Sequence, residues 1–224
     1  MTRVPRHRTR RRPTRGGQVL SEELIVDTAV RLIELHGTEG LSMRRLGAAL
    51  GADATAVYGY FADKHQLVLA VADELIGRTF AGFAPSGDWL ADLRAIAERV
   101  YRANRAHPRA ALLVTSRVTG RRHEVAAVEL ILGILRGAGF DRATAVRHYH
   151  CLISTVLAFA ALDSAVSIGD PGEEATWREV YQKLPAREYP AIADTAGELV
   201  AQLPETPFSA TLDLLLASIA ASAG

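Results

Sequence analysis

Arginines at the start of the chain are the residues with the clearest chemical role. Residues 1–18 contain seven arginines and two prolines, and almost no apolar side chains. Such a segment cannot bury enough apolar surface to fold by itself, so we expect a flexible arm. Guanidinium groups bind phosphates, so the functional interpretation of the arm is additional contact with the phosphates or the minor groove of a nucleic acid. A solvated tail without a partner, or an artefact of the assigned start codon, is the alternative.

Charge and composition support the same interpretation. Residues 1–65 have a net charge of +4, whereas residues 66–224 have a net charge of −3. This asymmetry favours contact between a polyanion and the front of the chain only. With 224 residues, 49% hydrophobic and 23% charged, the chain has the composition of a globular protein of one or two domains, not of a disordered or fibrous chain.

The histidines, the cysteine and the carboxylates show no spacing typical of a catalytic or metal site. His148 and His150 lie two residues apart on a predicted helix and would point roughly 200° from each other, so they cannot share an ion. Cys151 is the single cysteine, and we interpret it as a small buried apolar residue in a reducing cytoplasm. Motifs for phosphate loops, serine nucleophiles and zinc helices are absent. We therefore expect no enzyme, no cofactor and no metal.

The segment Met43–Phe61 has the steric pattern of two short helices joined by a tight turn. Gly47 is small where the helices would cross, and Gly51 lies where the turn favours a positive φ. The packing positions are apolar: Leu46, Leu50, Ala52 and Val57. This pattern is typical of a helix-turn-helix, with a generic helical hairpin as the alternative. In such motifs the second helix enters the major groove of DNA. The candidate contacts on it are Ala54, Thr55, Ala56, Tyr58 and Tyr60.

Helical spacing of apolar residues on both sides of this segment predicts an all-α fold. Ser21 would cap a first helix that ends at Gly37, and Asp63 would precede a long helix over 64–83. After the break at Pro85-Ser86-Gly87, helices are expected near 88–106, 109–118, 122–138, 142–167 and 209–222, with shorter helices and loops between 168 and 208. No stretch alternates with period two, so no strand is expected.

We divide the chain into a flexible basic arm at 1–18, a helix-turn-helix domain at 19–65 and a larger helical domain at 66–224. The longest apolar run, from Cys151 to Leu162, is too short to cross a membrane and indicates a buried helix or a subunit interface. The N-terminus lacks the apolar part of a signal peptide. We therefore expect a cytoplasmic protein without a membrane partner.

The stretch from Ser21 to Leu75 resembles the N-terminal domain of the TetR family of transcription regulators. The resemblance lies in G-x-x-x-L-S-M-R-x-L-G over 37–47, V-Y-x-Y-F over 57–61, and the following Lys64. The rest of the chain resembles the regulatory domain of that family less specifically. The family implies a homodimeric, ligand-responsive regulator, by expectation a repressor, on near-palindromic double-stranded operator DNA. The alternative is an architectural or nucleoid DNA-binding protein without an effector.

The resemblance also implies individual DNA contacts. Arg44 would reach a base, with guanine the best match to its donors, and Tyr58 would contact a phosphate or a base. Lys64 would anchor a phosphate. Gly59 stands where relatives often have a bulky side chain, so one familiar contact is missing. We expect operator choice to depend more on Arg44, Thr55, DNA shape and the arm.

A homodimer contact is implied on the last two long helices, as a four-helix bundle with a second copy. The residues assigned to it are Leu152, Thr155, Phe159, Phe208, Leu212, Leu215 and Ile219. The alternative is that these side chains fill the core of a single chain.

The other face of the helix at 142–167, with the helices at 88–106 and 122–138, would enclose an effector pocket. The candidate lining residues are Ile96, Val100, Asn104, Val114, Ile131, Val146, Tyr149, His150 and Ile153, and plain core packing is the alternative for each. A mostly apolar pocket suits a hydrophobic small molecule. Val114 and Ile96 stand where the tetracycline repressor has a metal-binding histidine and a drug-binding asparagine. A magnesium–tetracycline complex is therefore not expected.

Overall fold

The structure, a computed structural model, describes residues 19–115, 118–168, 179–181, 183–202 and 206–223, without the side chains of 112–115, 165–168 and 200–202. The helices with defined bounds are α1 (Glu22–His36), α2 (Met43–Ala49), α3 (Ala54–Tyr58), α4 (Lys64–Phe80), α5 (Trp89–Ala106), α6 (Pro108–Thr115), α7 (Arg122–Gly137), α8 (Arg142–Ile168), α9 (Pro190–Gln202) and α10 (Phe208–Ala221). A 3-10 turn at Thr38–Gly40 joins α1 to α2. No β-strand occurs in these ranges, and the predicted all-α fold is confirmed.

The ends of α1 and α4 follow local signals. Ser21 caps α1 by accepting the N–H of Leu24 at 3.1 Å. Gly37 follows the last turn with a φ of +71°, a conformation that costs residues with a Cβ more than glycine. Asp63 caps α4 in the same way as Ser21, at 2.8 Å. The helix starts predicted at Ser21 and Asp63 are therefore confirmed.

The helices α2 and α3 approach closely because a glycine lies at their crossing. A Cβ added to Gly47 would lie 3.0 Å from backbone atoms of Ala52 and Ala54. The turn between the helices passes through Gly51 at a φ of +62°. Asp53 then caps α3 by accepting the N–H of its second residue at 2.8 Å. These features confirm the predicted geometry of a helix-turn-helix.

The described residues of 1–83 and 106–130 form one compact unit. Its core combines buried side chains of α1, α2, α3 and α4 with Ala110 of α6. Burying a large apolar side chain contributes about 1.5–3 kcal/mol, so packing holds α3 in place although it has only 5 residues. The packing unit also includes α4, α6 and residues 122–130 of α7, whereas the functional boundary at residue 65 stays a prediction.

The described residues of 84–105 and 131–224 form a second compact unit. Within it, α8 and α10 pack against each other. Tyr101 of α5 stacks on Phe208 of α10 with 3.9 Å between the ring centroids. In the first turn of α5, the buried carboxylate of Asp92 accepts the backbone N–H groups of the preceding residues Ser86, at 2.9 Å, and Gly87, at 3.4 Å. The hydrogen bond from the Ser86 backbone is the main cause that lowers the pKa of Asp92.

The helix α8 is apolar on more than one side. Its residues Arg142–Ser164 are long and apolar enough to cross a membrane by length and composition alone, and 22% of that window is buried. The buried side includes Leu152, Val156 and Ala160. The expectation that Cys151 is buried is wrong, because this thiol lies on the exposed side of α8.

Candidate nucleic-acid interface

The recognition helix α3 presents a short surface of small and aromatic side chains. Thr55 and Tyr58 are exposed, and Tyr58 retains 52% of its accessible surface. Ala54 and Ala56 are half-buried, and Ala56 packs against the core. Gly59 is exposed at the end of the helix. The groups that α3 exposes are therefore the hydroxyl of Tyr58, the methyl group of Ala54 and the side chain of Thr55, which also hydrogen-bonds to Asp53.

The carboxylate of Asp53 limits what the start of α3 can bind. Hydrogen bonds from the side chain and the backbone N–H of Thr55 lower the pKa of Asp53, so the carboxylate stays ionised at neutral pH. Its negative charge offsets the positive end of the helix dipole and disfavours a phosphate there. Basic side chains of the neighbouring helices are therefore better candidates for a phosphate contact than the start of α3.

Arg44 of α2 offers such a side chain. It is exposed and has no hydrogen-bond or ion-pair partner among the described residues. Arg45 is also exposed, but its guanidinium donates to the carbonyl of Gly40 at 2.9 Å. All five donors of Arg44 are thus available for a bidentate contact with guanine or with a phosphate. The two neighbouring arginines therefore differ in a way that their sequence does not reveal.

Lys64 supplies a second cation, as the first residue of α4. The side chain is exposed, and its Nζ donates to the carbonyl of Thr38 at 3.2 Å. An ammonium has three donors, so two stay available for a phosphate. The bond also ties Lys64 to the 3-10 turn that precedes α2. His65 is exposed beside it and adds a candidate contact beyond those predicted.

Tyr60 has a structural partner and is not presented for a DNA contact as predicted. Its hydroxyl donates to the carbonyl of Leu20, and its ring packs against the core. Since Leu20 is itself buried, the bond fixes the point at which residues 1–18 join the described chain. The arm itself lies outside the described residues. Tyr60 therefore positions the start of the described chain near the helix-turn-helix.

The predicted pocket residues differ in burial. Ile96, Val100, Asn104 and Ile131 are buried, Tyr149 and Ile153 are half-buried, and Val146 and His150 are exposed. The side chain of Val114 lies outside the described residues. The amide of Asn104 donates to the carbonyl of Val100 at 2.8 Å, so one of its donors is satisfied within α5.

The second unit also contains a polar pair that was not predicted. The hydroxyl of Tyr101 in α5 donates to the carboxylate of Asp163 in α8, and both residues are half-buried. Arg105, one turn along α5, donates to the same hydroxyl at 3.2 Å. The spacing of Tyr101 and Arg105 is a local signal, whereas Asp163, the partner of Tyr101, lies 62 residues away. Tyr101 and Asp163 thus join Asn104 as hydrogen-bonded polar side chains of this unit.

The predicted dimer residues also differ in burial. Leu152, Phe208, Leu212 and Ile219 are buried within the single chain, and Thr155, Phe159 and Leu215 are half-buried. The four buried side chains do not reach the surface of the single chain. Any interface on α8 and α10 must therefore use the exposed residues of these helices. The exposed small and apolar residues on these helices include Ser154, Ala158, Leu162, Ala210, Leu214 and Ala217.

The two histidines of α8 have separate surroundings. His148 packs edge-on against Phe140, with 4.9 Å between the ring centroids, and its Nε2 lies 3.0 Å from the hydroxyl of Ser222. Burial, and then the charge of Arg147, lower the pKa of His148. His150 is exposed. Within the ranges that the structure describes, no group of three His, Cys, Asp or Glu side chains is arranged to hold a metal ion.

Comparisons with known proteins cover both units. Residues 25–71 match the family described as "Bacterial regulatory proteins, tetR family", and residues 82–223 match "Tetracyclin repressor-like, C-terminal domain". A protein of Saccharopolyspora erythraea named "HTH-type transcriptional regulator" is 29% identical, over 94% of this chain and 89% of that protein.

Solved structures share the fold. Apo ActR of Streptomyces coelicolor has a TM-score of 0.80 at 23% identity, covering 92% of this chain and 97% of ActR. ActR in complex with actinorhodin has a TM-score of 0.78. A possible TetR family transcriptional regulator of Streptomyces coelicolor A3(2) has a TM-score of 0.72 at 30% identity, covering 90% of this chain and 99% of that one. Because the family matches include both the helix-turn-helix and most of the remaining chain, this chain belongs to the TetR family of bacterial transcriptional regulators.

Proposed function

We propose that this chain is a homodimeric repressor that binds a near-palindromic operator and is released by a hydrophobic small molecule. The observation that carries the DNA-binding part is the set of exposed side chains on three successive helices, Arg44, Thr55, Tyr58 and Lys64. The cations come from α2 and α4, while α3 presents uncharged groups. With this division, the cations of α2 and α4 can anchor phosphates while the uncharged groups of α3 reach base edges.

A selection of bound genomic fragments, followed by titration of the best fragment at several salt concentrations, tests this part. We expect a short pseudo-palindrome that binds about 10³-fold or more tightly than random DNA. Transcription from a promoter that contains the fragment should fall when the chain is present. Weak and sequence-blind binding would contradict the proposal and favour the architectural alternative, and a rise in transcription would contradict repression.

The exposed stripe on α8 and α10 supports the homodimer. We define the stripe as Ser154, Ala158, Leu162, Ala210, Leu214 and Ala217. Leu214 is 74% exposed and Leu162 is 58% exposed, on two helices that pack against each other, and exposed apolar surface marks interaction sites. One recognition helix contacts few base pairs, so a two-fold arrangement is needed to read an operator. A second copy of the chain is therefore the proposed occupant of the stripe.

Sedimentation velocity tests the homodimer. Leu214→Arg is expected to convert the dimer to a monomer, because burial of leucine contributes about 1.5–3 kcal/mol per chain and a buried arginine would lose solvation. Leu35→Arg is the matched control, since Leu35 is 69% exposed on α1, and it should leave the dimer intact. A monomeric wild type, or a dimer of Leu214→Arg, would contradict the assignment.

Buried apolar side chains in the second unit support a hydrophobic effector. Ile96, Val100 and Ile131 supply apolar surface there, and Tyr101 and Asp163 offer polar groups that can orient a ligand. The complex of ActR with actinorhodin supports a small-molecule site in a protein of this fold. The effector favours a conformation in which α4 moves and the recognition helices lose the spacing of the operator. For this it need only bind that conformation more tightly.

A thermal-shift screen of uncharged aromatic compounds tests the effector. Compounds that raise Tm should lower operator affinity by about fivefold or more, the usual range of allosteric coupling. Tetracycline with Mg²⁺ should have no effect. A compound that stabilises the protein and leaves operator affinity unchanged would contradict the release mechanism.

A further inference from the structure

A carboxylate from α4 caps the start of α7 within the first unit. Asp73 is buried in α4, and its Oδ1 accepts the backbone N–H groups of His123 at 3.0 Å and Glu124 at 2.9 Å. Since α7 begins at Arg122, these donors belong to its second and third residues, which an N-cap side chain normally satisfies. The N-cap position is Arg121, whose side chain has no acceptor. Asp73 thus supplies, from another helix, the cap that the local sequence lacks.

The loop before α7 is joined to the same carboxylate. Thr119 is buried, and its hydroxyl lies 3.4 Å from Oδ1 of Asp73 and 2.8 Å from Oε2 of Glu124. Glu124 also accepts the backbone N–H groups of Thr119 and Gly120, both at 2.7 Å. Because Glu124 belongs to α7, its bonds hold the loop to the first turn of that helix, whereas the bonds to Asp73 hold this turn to α4. The start of α7 is therefore firmly attached to the middle of α4.

Steric contact reinforces this attachment one turn further along α4. A Cβ added to Gly77 would lie 2.5 Å from Nδ1 of His123, so a larger residue fits only if the imidazole moves. The glycine leaves room for the imidazole of His123, in the first turn of α7, against the backbone of α4. A shift of α7 must therefore break the hydrogen bonds to Asp73 or move α4 with it.

We infer that Asp73 is a positioning residue that couples α7 to α4, and through α4 to the DNA contact at Lys64. Residues 131–137 of α7 belong to the second unit, where Ile131 and Leu135 are buried. A displacement of α7 that an effector produces is transmitted to α4 through the hydrogen bonds at Asp73. The inference rests on the proposed effector-dependent function. Linkage makes the coupling reciprocal, so operator binding must also change the state of α7.

Hydrogen–deuterium exchange on the full chain tests the coupling without an identified effector. The probe is the operator fragment recovered by the genomic selection, and a scrambled duplex of equal length corrects for non-specific binding. In the wild type, binding of the operator is expected to change the rate of amide exchange in residues 131–137 by about fivefold or more. In Asp73→Ala this change should fall below about twofold, while protection of α3 persists. Asp73→Asn keeps an acceptor oxygen and the side-chain volume, and should restore most of the change.

Asp92→Ala is the matched control, because Asp92 is also a buried carboxylate that accepts two backbone N–H groups. It should lower thermal stability and keep the response in residues 131–137. The inference is overturned if Asp73→Ala responds as the wild type does, or if Asp92→Ala loses the response equally. It is also overturned if the wild type binds its operator with no change in α7, whether or not Asp73→Ala folds. A wild type that shows no specific operator binding in the DNA titration instead refutes the proposed function, and the inference with it.

Discussion

Arg44 and Arg45 show how neighbouring residues of one type acquire different roles. Arg45 donates to the carbonyl of Gly40, whereas Arg44 has no hydrogen-bond partner among the described residues. We expect Arg44→Ala to lower operator affinity about 5- to 150-fold, the equivalent of about 1–3 kcal/mol, and to relax the preference at one base pair. Titration against operators substituted at each position measures this effect.

Arg31→Ala is the control for Arg44→Ala, since Arg31 is an exposed arginine that donates to Thr28 within α1. It should leave operator affinity within about twofold of the wild type, a change of under about 0.5 kcal/mol. An equal loss with Arg44→Ala on every sequence would show a phosphate contact and contradict base readout.

His148 should make stability depend on pH. Its pKa in the folded chain is lowered, first by burial, so below about pH 6.5 the unfolded chain binds a proton that the folded chain does not. Above that pH, His148 does not make the free energy of unfolding depend on pH. As the pH falls towards the pKa of the folded chain, proton uptake by His148 in the unfolded chain lowers this free energy. We expect the fall in Tm between about pH 7.5 and about pH 5.5 to be smaller in His148→Gln than in the wild type. His150→Gln, at an exposed position, should leave this fall unchanged, and equal falls in all three proteins would refute the assignment.

Within the helix-turn-helix, two glycines adopt backbone conformations of opposite sign in φ. Gly51 has a φ of +62°, whereas Gly59 has a helical φ of −68°. Gly51→Ala should lower the free energy of unfolding by about 1–2 kcal/mol. Gly59→Ala should be neutral or raise it by up to about 1 kcal/mol. Urea denaturation separates the two variants, and similar losses in both would contradict this account of the turn.

Helix ends with local caps could be predicted from the sequence, and those with distant caps could not. Ser21, Asp53 and Asp63 each accept an N–H from within three residues, so their side chains identify the helix starts. Asp73 caps α7 from 50 residues away and looks in the sequence like one polar residue of an amphipathic helix. Only the packing of α4 against the start of α7 gives it this role.

The residues of the candidate surfaces could also be predicted from the sequence only in part. The motif predicted Thr55 and Tyr58 on an exposed recognition helix, because turn glycines and packing positions fix its orientation. The sequence did not distinguish Tyr60 from these two residues, because its hydrogen-bond partner Leu20 lies 40 residues away. On α8 the sequence could not distinguish the buried side from the exposed stripe, because apolar residues on several sides remove the helical periodicity that would orient it.

At the scale of the whole molecule, the positive charge is concentrated where the chain enters the DNA-binding unit. The seven arginines of residues 1–18 join the described chain next to Leu20, which is bonded to Tyr60. We expect the arm to bind DNA phosphates. Deleting residues 1–17 should then make the salt dependence of log K shallower by about one unit for each phosphate that the arm neutralises. Replacing the seven arginines by lysines should keep the slope, and an unchanged slope after the deletion would show that the arm is inert.

We expect a two-fold pair of these chains to read a near-palindromic operator. Hydroxyl-radical footprinting of the recovered fragment, with the number of bound chains measured on the same complex, tests it most directly. We expect two symmetric protected half-sites about 34–36 Å apart, or a multiple of that spacing, with two chains for each pair of half-sites. Continuous protection without symmetric half-sites, or saturation of the fragment by a single chain, would contradict it.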